Sequence, residues 1–429
     1  MLTHSHLDTV DATAWPGVAT LPTGSFVAAR ARRAEKVFAK ACAQAGIELD
    51  PVAGADIAVE HEELFTRLAT SGWVGLAEGF MAGEWTVSDT DALVGVVESL
   101  IRSGYRPKAA VAPGGNAGGD VPPELVQHFA EDSMSAFMGH FATGVPTTER
   151  TMVSSYVPGA GRRNEPAAHY VDVTNIGAPL GAQRGDLAPA QRRSVEMLLD
   201  AARVSARTHV VEHPASGGLV AIEAARRRAT VDVRTADSAV AHALSERLIF
   251  AGIRDAVHIE VGADATRSGG AYDAVISVEK LETLSDRAKV GYLRALGALI
   301  QPGGRVALQT VTRTPAYSVA ADAAADSLRA YVWPGLSFAT PTEIARIVDK
   351  RTNLRIIAET HAQEHLEPSL RIQRRWFDAH LREAAADGFD PVYRRLWQWQ
   401  FAVREALARL GMIDLVQLTL VPRHRRGLR

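Results

Sequence analysis

The stretch Arg207-Thr208-His209-Val210-Val211-Glu212-His213-Pro214-Ala215-Ser216-Gly217-Gly218-Leu219 decides the fold. His209 to Val211 read as a short buried strand, and Glu212 is an acid at its C-terminal end. Gly217 and Gly218 then open a helix running through Ile222, Ala225 and Arg226. A strand passing into a helix through such a turn is the ligand-cradling corner of a doubly wound α/β protein. The turn normally reads Glu or Asp followed by G-x-G-x-G, because glycines tolerate positive φ and let a ligand approach bare backbone. Here Pro214 and Ser216 take the two leading glycine positions, and Gly218 holds the third. Proline fixes φ near about −65° and removes an N–H donor. Ser216 adds a Cβ where the ligand would lie, so the corner is expected with its entrance obstructed.

Outward from that corner, strands are expected at 208–212, 230–235, 257–261, 273–278, 304–311, 354–359 and 414–421. Helices between most neighbours require a mainly parallel sheet. A helix over 286–299 leads through Pro302-Gly303-Gly304 into the fifth strand, and the last two strands, joined by a helix-rich insertion, would form an antiparallel edge. Residues 1–105 read as a small, mainly helical domain. Its helix at 27–45 carries Val37, Phe38 and Ala41 on one face and Arg30, Arg33 and Lys36 on another. Residues 106–123, rich in Pro, Gly and Ala, form a linker. The second domain covers 124–429, begins with a helix-like segment from Glu124 to about Met138, and contains the helical insertion at 322–411. Near its end Asp390 caps and Pro391 starts a helix through Tyr393, Leu396, Trp397 and Phe401 to Leu410.

Composition narrows the class. The 429 residues are 47% hydrophobic, enough for a large core and two domains, and the net charge of −2 argues against bulk nucleic-acid binding. Cys42 is the single cysteine, which excludes a disulfide framework and a thiolate metal site; no metal is expected. No apolar run reaches the length of a membrane span, and the opening Met-Leu-Thr-His-Ser-His lacks the features of an export signal, so a cytoplasmic location is expected. The terminal Arg423, His424, Arg425, Arg426 and Arg429 form a basic tail, read either as a solvated disordered end or as a contact with anionic lipid. There is no G-x-S-x-G elbow, H-E-x-x-H motif, Walker loop or fixed-period repeat.

Gly75-Leu76-Ala77-Glu78-Gly79-Phe80-Met81-Ala82-Gly83-Glu84-Trp85 is the most specific block in the chain. It resembles the G-[FL]-x-E-x-[YF]-M-x-G-[ED]-W signature of the cyclopropane fatty acid synthases and related actinobacterial unsaturated-acyl methyltransferases. Met81 and Trp85 read either as core or as lipid or interdomain contacts, and Glu78 and Glu84 as solvated. A second match, Tyr272 to Glu282, is similar to the family's Y-D-x-[IV]-[IV]-S-V-[EG]-M-x-E. Leu187-Ala188-Pro189-Ala190-Gln191 and Tyr331-Val332-Trp333-Pro334-Gly335 resemble two further family segments.

The resemblance implies a class I methyltransferase, Rossmann-like seven-stranded sheet with S-adenosylmethionine and bicarbonate as cofactors. It places Glu212, Gly217 and Gly218 at the methyl donor. Asp237 would sit at the ribose, or alternatively cap the helix before Ala239, and Asp264 at the adenine amine. Glu282 would orient the bicarbonate, with Gln309 as a further ligand of the ion. His128, Phe129, Tyr331 and Trp333 would line the acyl cavity, although a lone histidine on an apolar helix, as His128 is, is more often core. Departures are concentrated at the chemistry. The family's Y-S-C motif falls near Gly144-Val145-Pro146 with no cysteine, and the tyrosine and tryptophan of H-Y-x-x-T-L-x-x-W are missing from His365 to Gln373.

In the family an alkene attacks the sulfonium methyl and a fixed anion deprotonates the resulting cation. Each missing polar ligand commonly costs about 2–4 kcal/mol of transition-state stabilisation. Three functional expectations follow. The first is a diverged family member with weak or lost methyl transfer, acting as a lipid-binding or partner subunit beside an active paralogue. The second is an active S-adenosylmethionine-dependent methyltransferase on unsaturated phospholipid acyl chains. The third is a ligand-free interaction remnant. The expected partners are phospholipid acyl chains, the inner membrane face as a peripheral surface, and a homo- or hetero-oligomer, with no nucleic acid.

Overall fold

Neighbouring valines and isoleucines of the central strands point to opposite layers, and this alternation builds the larger of the two compact units. The computed structural model describes residues 6–23, 26–50, 55–108, 122–130, 135–142, 147–161, 166–262 and 272–423. The larger unit comprises Val121–Thr314, Ser337–Gln373 and Ile413–Arg429. Its sheet contains β1 (Thr148–Tyr156), β2 (Ala168–Ile176), β3 (His209–Glu212), β4 (Thr230–Thr235), β5 (Val257–Val261), β6 (Tyr272–Val278), β7 (Ile300–Arg313), β8 (Leu354–His361) and β9 (Ile413–Pro422). The spatial order is β1-β2-β8-β9-β7-β6-β3-β4-β5. Strands β7, β6, β3, β4 and β5 run parallel to one another, and β9 lies antiparallel between β7 and β8.

Val210, Val231, Val233 and Ile276 face one core layer, where they pack with Val195, Leu198 and Leu199 of helix Leu187–Ala201 and with Leu244 and Leu248 of helix Ser238–Phe250. Val211, Val275, Val306 and Leu308 face the other, against Leu293, Leu296 and Leu299 of helix Asp286–Leu299. All seven expected strands are present. The hairpin β1–β2 was not expected; it extends the sheet beyond β8 through nine residue pairs.

Two further expectations are corrected. Among its described residues, the segment expected as a helix from Glu124 to about Met138 is helical only over Pro123–Val126. Further on, the backbone groups of Met138 and Gly139 bond to side chains of distant elements instead. Arg423 is buried rather than part of a solvated tail: it donates to Asp349 Oδ1 at 2.7 Å and to the carbonyls of Ala160, Asp349 and Leu354. Residues 424–429, the rest of that tail, lie outside the described residues, as do 109–121 of the linker and Gly144-Val145-Pro146.

The second unit comprises Met1–Asp120, Pro315–Leu336 and Arg374–Met412. Two stretches of the helical insertion therefore cluster with the N-terminal segment, whereas Ser337–Gln373 belongs to the sheet unit. The signature block explains itself here. Gly75 lets helix Trp73–Ala82 meet the backbone of Arg67, where any Cβ would collide, and Gly83 ends the helix at φ 78°. Met81 and Trp85 are both fully buried, and Trp85 packs edge-on against Trp399 at 6.1 Å.

Glu78 and Glu84, expected in solvent, are buried. The Arg67 Nε donates to both Glu84 oxygens at 2.8 and 2.9 Å, and its Nη1 lies 3.7 Å from Glu78 Oε2. An unpaired buried carboxylate is costly, so Arg67 makes the acidic positions of this block tolerable. Burial still raises the Glu78 carboxyl above its usual range, against the opposing effects of the Tyr331 hydroxyl and Arg67.

Candidate active site

The corner after β3, whose residues 213–217 are half-buried, is bonded within itself. Glu212 is completely buried; its Oε1 accepts the Ser216 backbone N–H at 2.7 Å and, at shorter range, the Ser216 hydroxyl. Its Oε2 is buried with no hydrogen-bond partner. Burial raises the Glu212 carboxyl to about 7, although the Ser216 bonds and the charge of Arg247 favour the ionised form. The loop is pinned at three further points. Ala215 N–H donates to Arg234 O at 2.8 Å, Tyr292 Oη to His213 O at 2.7 Å, and Arg247 Nη1 to Gly217 O at 3.0 Å. Gly217 and Gly218 have φ of 102° and 98°, which only glycine adopts without strain, so this half of the expected turn keeps its backbone geometry. Ser216 instead turns its side chain onto the acid that a ligand would approach.

Asp237 caps helix Ser238–Phe250, accepting the Ala239 N–H at 2.7 Å. Asp264 lies outside the described residues.

Gln309, on β7, uses its full hydrogen-bonding capacity within the protein. Its Oε1 accepts from Ser194 Oγ at 2.5 Å and Gln417 Nε2 at 2.9 Å. Its Nε2 donates to Met138 O at 3.0 Å and Glu279 Oε1 at 2.8 Å. A glutamine amide offers two donors and two acceptor lone pairs, so nothing remains for an ion. Glu282 is buried and accepts from Thr310 Oγ1 at 2.7 Å.

Sequence reasoning missed Glu279, immediately after β6. It stands at φ 46°, unusual for a long side chain, and its Oε1 also accepts the Met138 N–H at 2.7 Å. The family pattern admits glycine at this position, and that was the available signal of a left-handed backbone. The segment around Met138 is fixed further by Gln191 Nε2, which donates to the carbonyls of Ser135 and Phe137, and by Ser369 Oγ, which accepts from Gly139 N–H at 3.0 Å. His140 follows, fully enclosed; neither ring nitrogen has a hydrogen-bond partner and burial holds its pKa down at about 3. His365 is buried beside it, accepting the Phe141 N–H at Nδ1 and facing Gly177 O through Nε2 at 3.0 Å.

The four residues expected around an acyl chain fall in different units. His128 and Phe129 are buried in the sheet unit. In the other unit Tyr331 Oη donates to Glu78 Oε1 at 2.6 Å, and Arg404 lies 5.3 Å over the Trp333 ring. Among the described residues one group, His6, His61 and Glu63, brings possible cation ligands within 4.8 Å of one another. The two imidazoles are stacked nearly parallel, 3.8 Å apart, so an ion cannot lie in both ring planes as this arrangement stands.

The residues present therefore fit a bicarbonate at Gln309 poorly. A bicarbonate would find Gln309 already saturated, and a methyl donor would meet a corner whose acid is bonded to Ser216.

The sheet order β5-β4-β3-β6-β7-β9-β8, with an acid and two glycines after β3, defines a class I methyltransferase fold. The sequence profile of the mycolic acid cyclopropane synthetase family matches residues 178–418, and the chain belongs to that family. It is 27% identical to the tuberculostearic acid methyltransferase UfaA1 of Mycobacterium tuberculosis, over 96% of each chain. Among solved structures, a coclaurine N-methyltransferase bound to N-methylheliamine and SAH shares the fold with a TM-score of 0.54 and 10% identity, covering 81% of this chain and 99% of that one. The apo form of the mycolic acid cyclopropane synthase CmaA1 gives 0.50 and 12%, covering 70% and 99%. Among the described residues no helix is long and apolar enough to cross a membrane.

Proposed function

We propose that this chain is a diverged member of its family with weak or no methyl transfer of its own, serving as a lipid-binding or partner subunit beside an active relative. The saturation of Gln309 carries this reading. A methyl-transfer site of the cyclopropane type needs a fixed anion beside the reacting carbon, and the amide expected to hold it has no free donor. The self-bonded corner at Glu212 supports the same conclusion for the methyl donor. Titration calorimetry of the purified chain with S-adenosylmethionine is expected to give no heat in the micromolar range, and native mass spectrometry to find co-bound lipid. Micromolar donor binding would overturn the first half of this reading, and a lipid-free protein the second.

A second reading, an active methyltransferase on unsaturated phospholipid acyl chains, is favoured by the near full-length match to a tuberculostearic acid methyltransferase. The unpartnered Oε2 of Glu212 would then face the donor. Turnover of an olefinic phospholipid by the isolated protein would establish it.

A further inference from the structure

The helix Val27–Ala45 buries Phe38, Ala41 and Cys42 and turns a strongly cationic face outward. Arg30, Arg32, Arg33, Lys36 and Lys40 are all exposed, against the single acid Glu35, in a chain whose net charge is −2. At 3.6 residues per turn, the spacings of three and four from Arg30 to Arg33, Val37 and Lys40 make one stripe, with Arg32 and Lys36 along its side. Two apolar side chains belong to this face. Val37 is 49% exposed in the middle of the stripe, and Phe26, immediately before the helix, is 82% exposed. Phe26 is held at φ 65° and ψ 18°, a left-handed conformation that a bulky residue rarely adopts.

A solvated charged face accounts for the cations but leaves Phe26 and Val37 in water. A partner offering both negative charge and hydrocarbon accounts for all of them. Nucleic acid supplies the charge but no apolar layer for Val37 to enter. We propose that this face docks on an anionic phospholipid surface, with Phe26 and Val37 entering the headgroup boundary and the five stripe and flank cations Arg30, Arg32, Arg33, Lys36 and Lys40 meeting phosphates. The inference extends the lipid-related reading above, on which its biological purpose rests, but its observation and its test are separate from the methyl-donor corner.

The test is co-sedimentation of the full chain with vesicles of mixed phosphatidylglycerol and phosphatidylcholine, and with phosphatidylcholine vesicles alone. Binding is expected to the mixed vesicles only and to weaken with added salt. Because each cation near such a surface is worth about a fivefold change in partitioning, K36E/K40E is expected to lower it about 20-fold or more. F26S should weaken binding while leaving its salt dependence in place. Both variants change exposed side chains, and an unchanged melting curve confirms that the fold is intact. Equal partitioning to both vesicle types, or undiminished binding by K36E/K40E, overturns the proposal; so does a duplex oligonucleotide that displaces the protein from mixed vesicles through the same residues. Lipid still co-purifying with K36E/K40E after vesicle binding is lost would support the proposal and leave the lipid-binding reading standing. Vesicle binding by a protein that purifies without lipid would leave the proposal standing and remove that reading.

Discussion

Restoring the glycines of the donor corner should open it. In P214G/S216G the turn after Glu212 would again read G-x-G-x-G up to Gly218. The serine change removes one of the two bonds that Ser216 gives Glu212 Oε1 and leaves the backbone N–H at 2.7 Å. A hydrogen bond to a charged group is worth about 1.5–3 kcal/mol. Each added glycine also gives the unfolded chain about 0.4–1 kcal/mol of extra conformational freedom. The variant should therefore be less stable by about 2–5 kcal/mol, measured by urea unfolding. In exchange, calorimetry with S-adenosylhomocysteine should change from silent to micromolar, which corresponds to about 8 kcal/mol of binding free energy. The reasoning fails if the unmodified chain already binds at micromolar concentration. It fails equally if the variant is destabilised as expected yet stays silent, because the obstruction would then lie elsewhere.

Three other consequences can be checked on stability. His361 lies between Asp414, 2.7 Å from its Nδ1, and Glu359, 3.4 Å from its Nε2; burial opposes its charge, but the two carboxylates prevail and raise its pKa to about 9. A histidine raised above its unfolded value stabilises fully below about pH 6.5 and loses that contribution as pH rises through the folded value. His361→Asn should accordingly cost about 3 kcal/mol near pH 6 and little near pH 10, and a pH-independent difference in urea unfolding would contradict the ion-pair assignment. Gln309→Leu should destabilise the chain by about 3–5 kcal/mol, because Ser194, Gln417, Met138 and Glu279 each lose a bond together; a neutral result would mean that the network is not structural. Arg67→Met should cost about 3–5 kcal/mol by leaving Glu84 buried without its cation, and adding Glu84→Gln should recover much of it, as measured by thermal unfolding.

The sheet was legible because its central strands are buried on both faces and read as short runs of Val and Ile; 230–235 and the edge strand 257–261, where only Val257 is buried, were both placed to the residue. Strand β1 was not legible. All but one of its residues are exposed, so no alternation marks it, and what holds it is pairing with β2. The segment after Val126 misled for a different reason. Its helical propensity was real, but Glu279, Gln191 and Ser369 take up backbone groups around Met138 that a helix would need for itself. Glu78 and Glu84 read as solvated because acids usually are; nothing adjacent in the sequence identifies Arg67 as their partner.

The same limit governs the candidate site more strictly, because being available to a ligand is not a local property. Glu282 and Gln309 are the residues that the resemblance in sequence set at an ion. A side chain can hold a ligand only with hydrogen-bonding capacity that the protein has not already used. The groups that occupy Gln309 are separated from it by 115, 108 and 171 residues, at Ser194, Gln417 and Met138. Two of them, Ser194 and Gln417, come from a helix and a strand whose positions the parallel architecture dictates, while Met138 arrives on an irregular segment. Removing a single partner would therefore leave the amide held by the other three and would not return it to an ion. A shift of the segment carrying Met138 frees one Nε2 donor and takes the Met138 N–H away from Glu279; the second donor is freed only when Glu279 turns away as well. Methyl transfer that depends on an ion held at Gln309 would require both movements before the chemistry could begin.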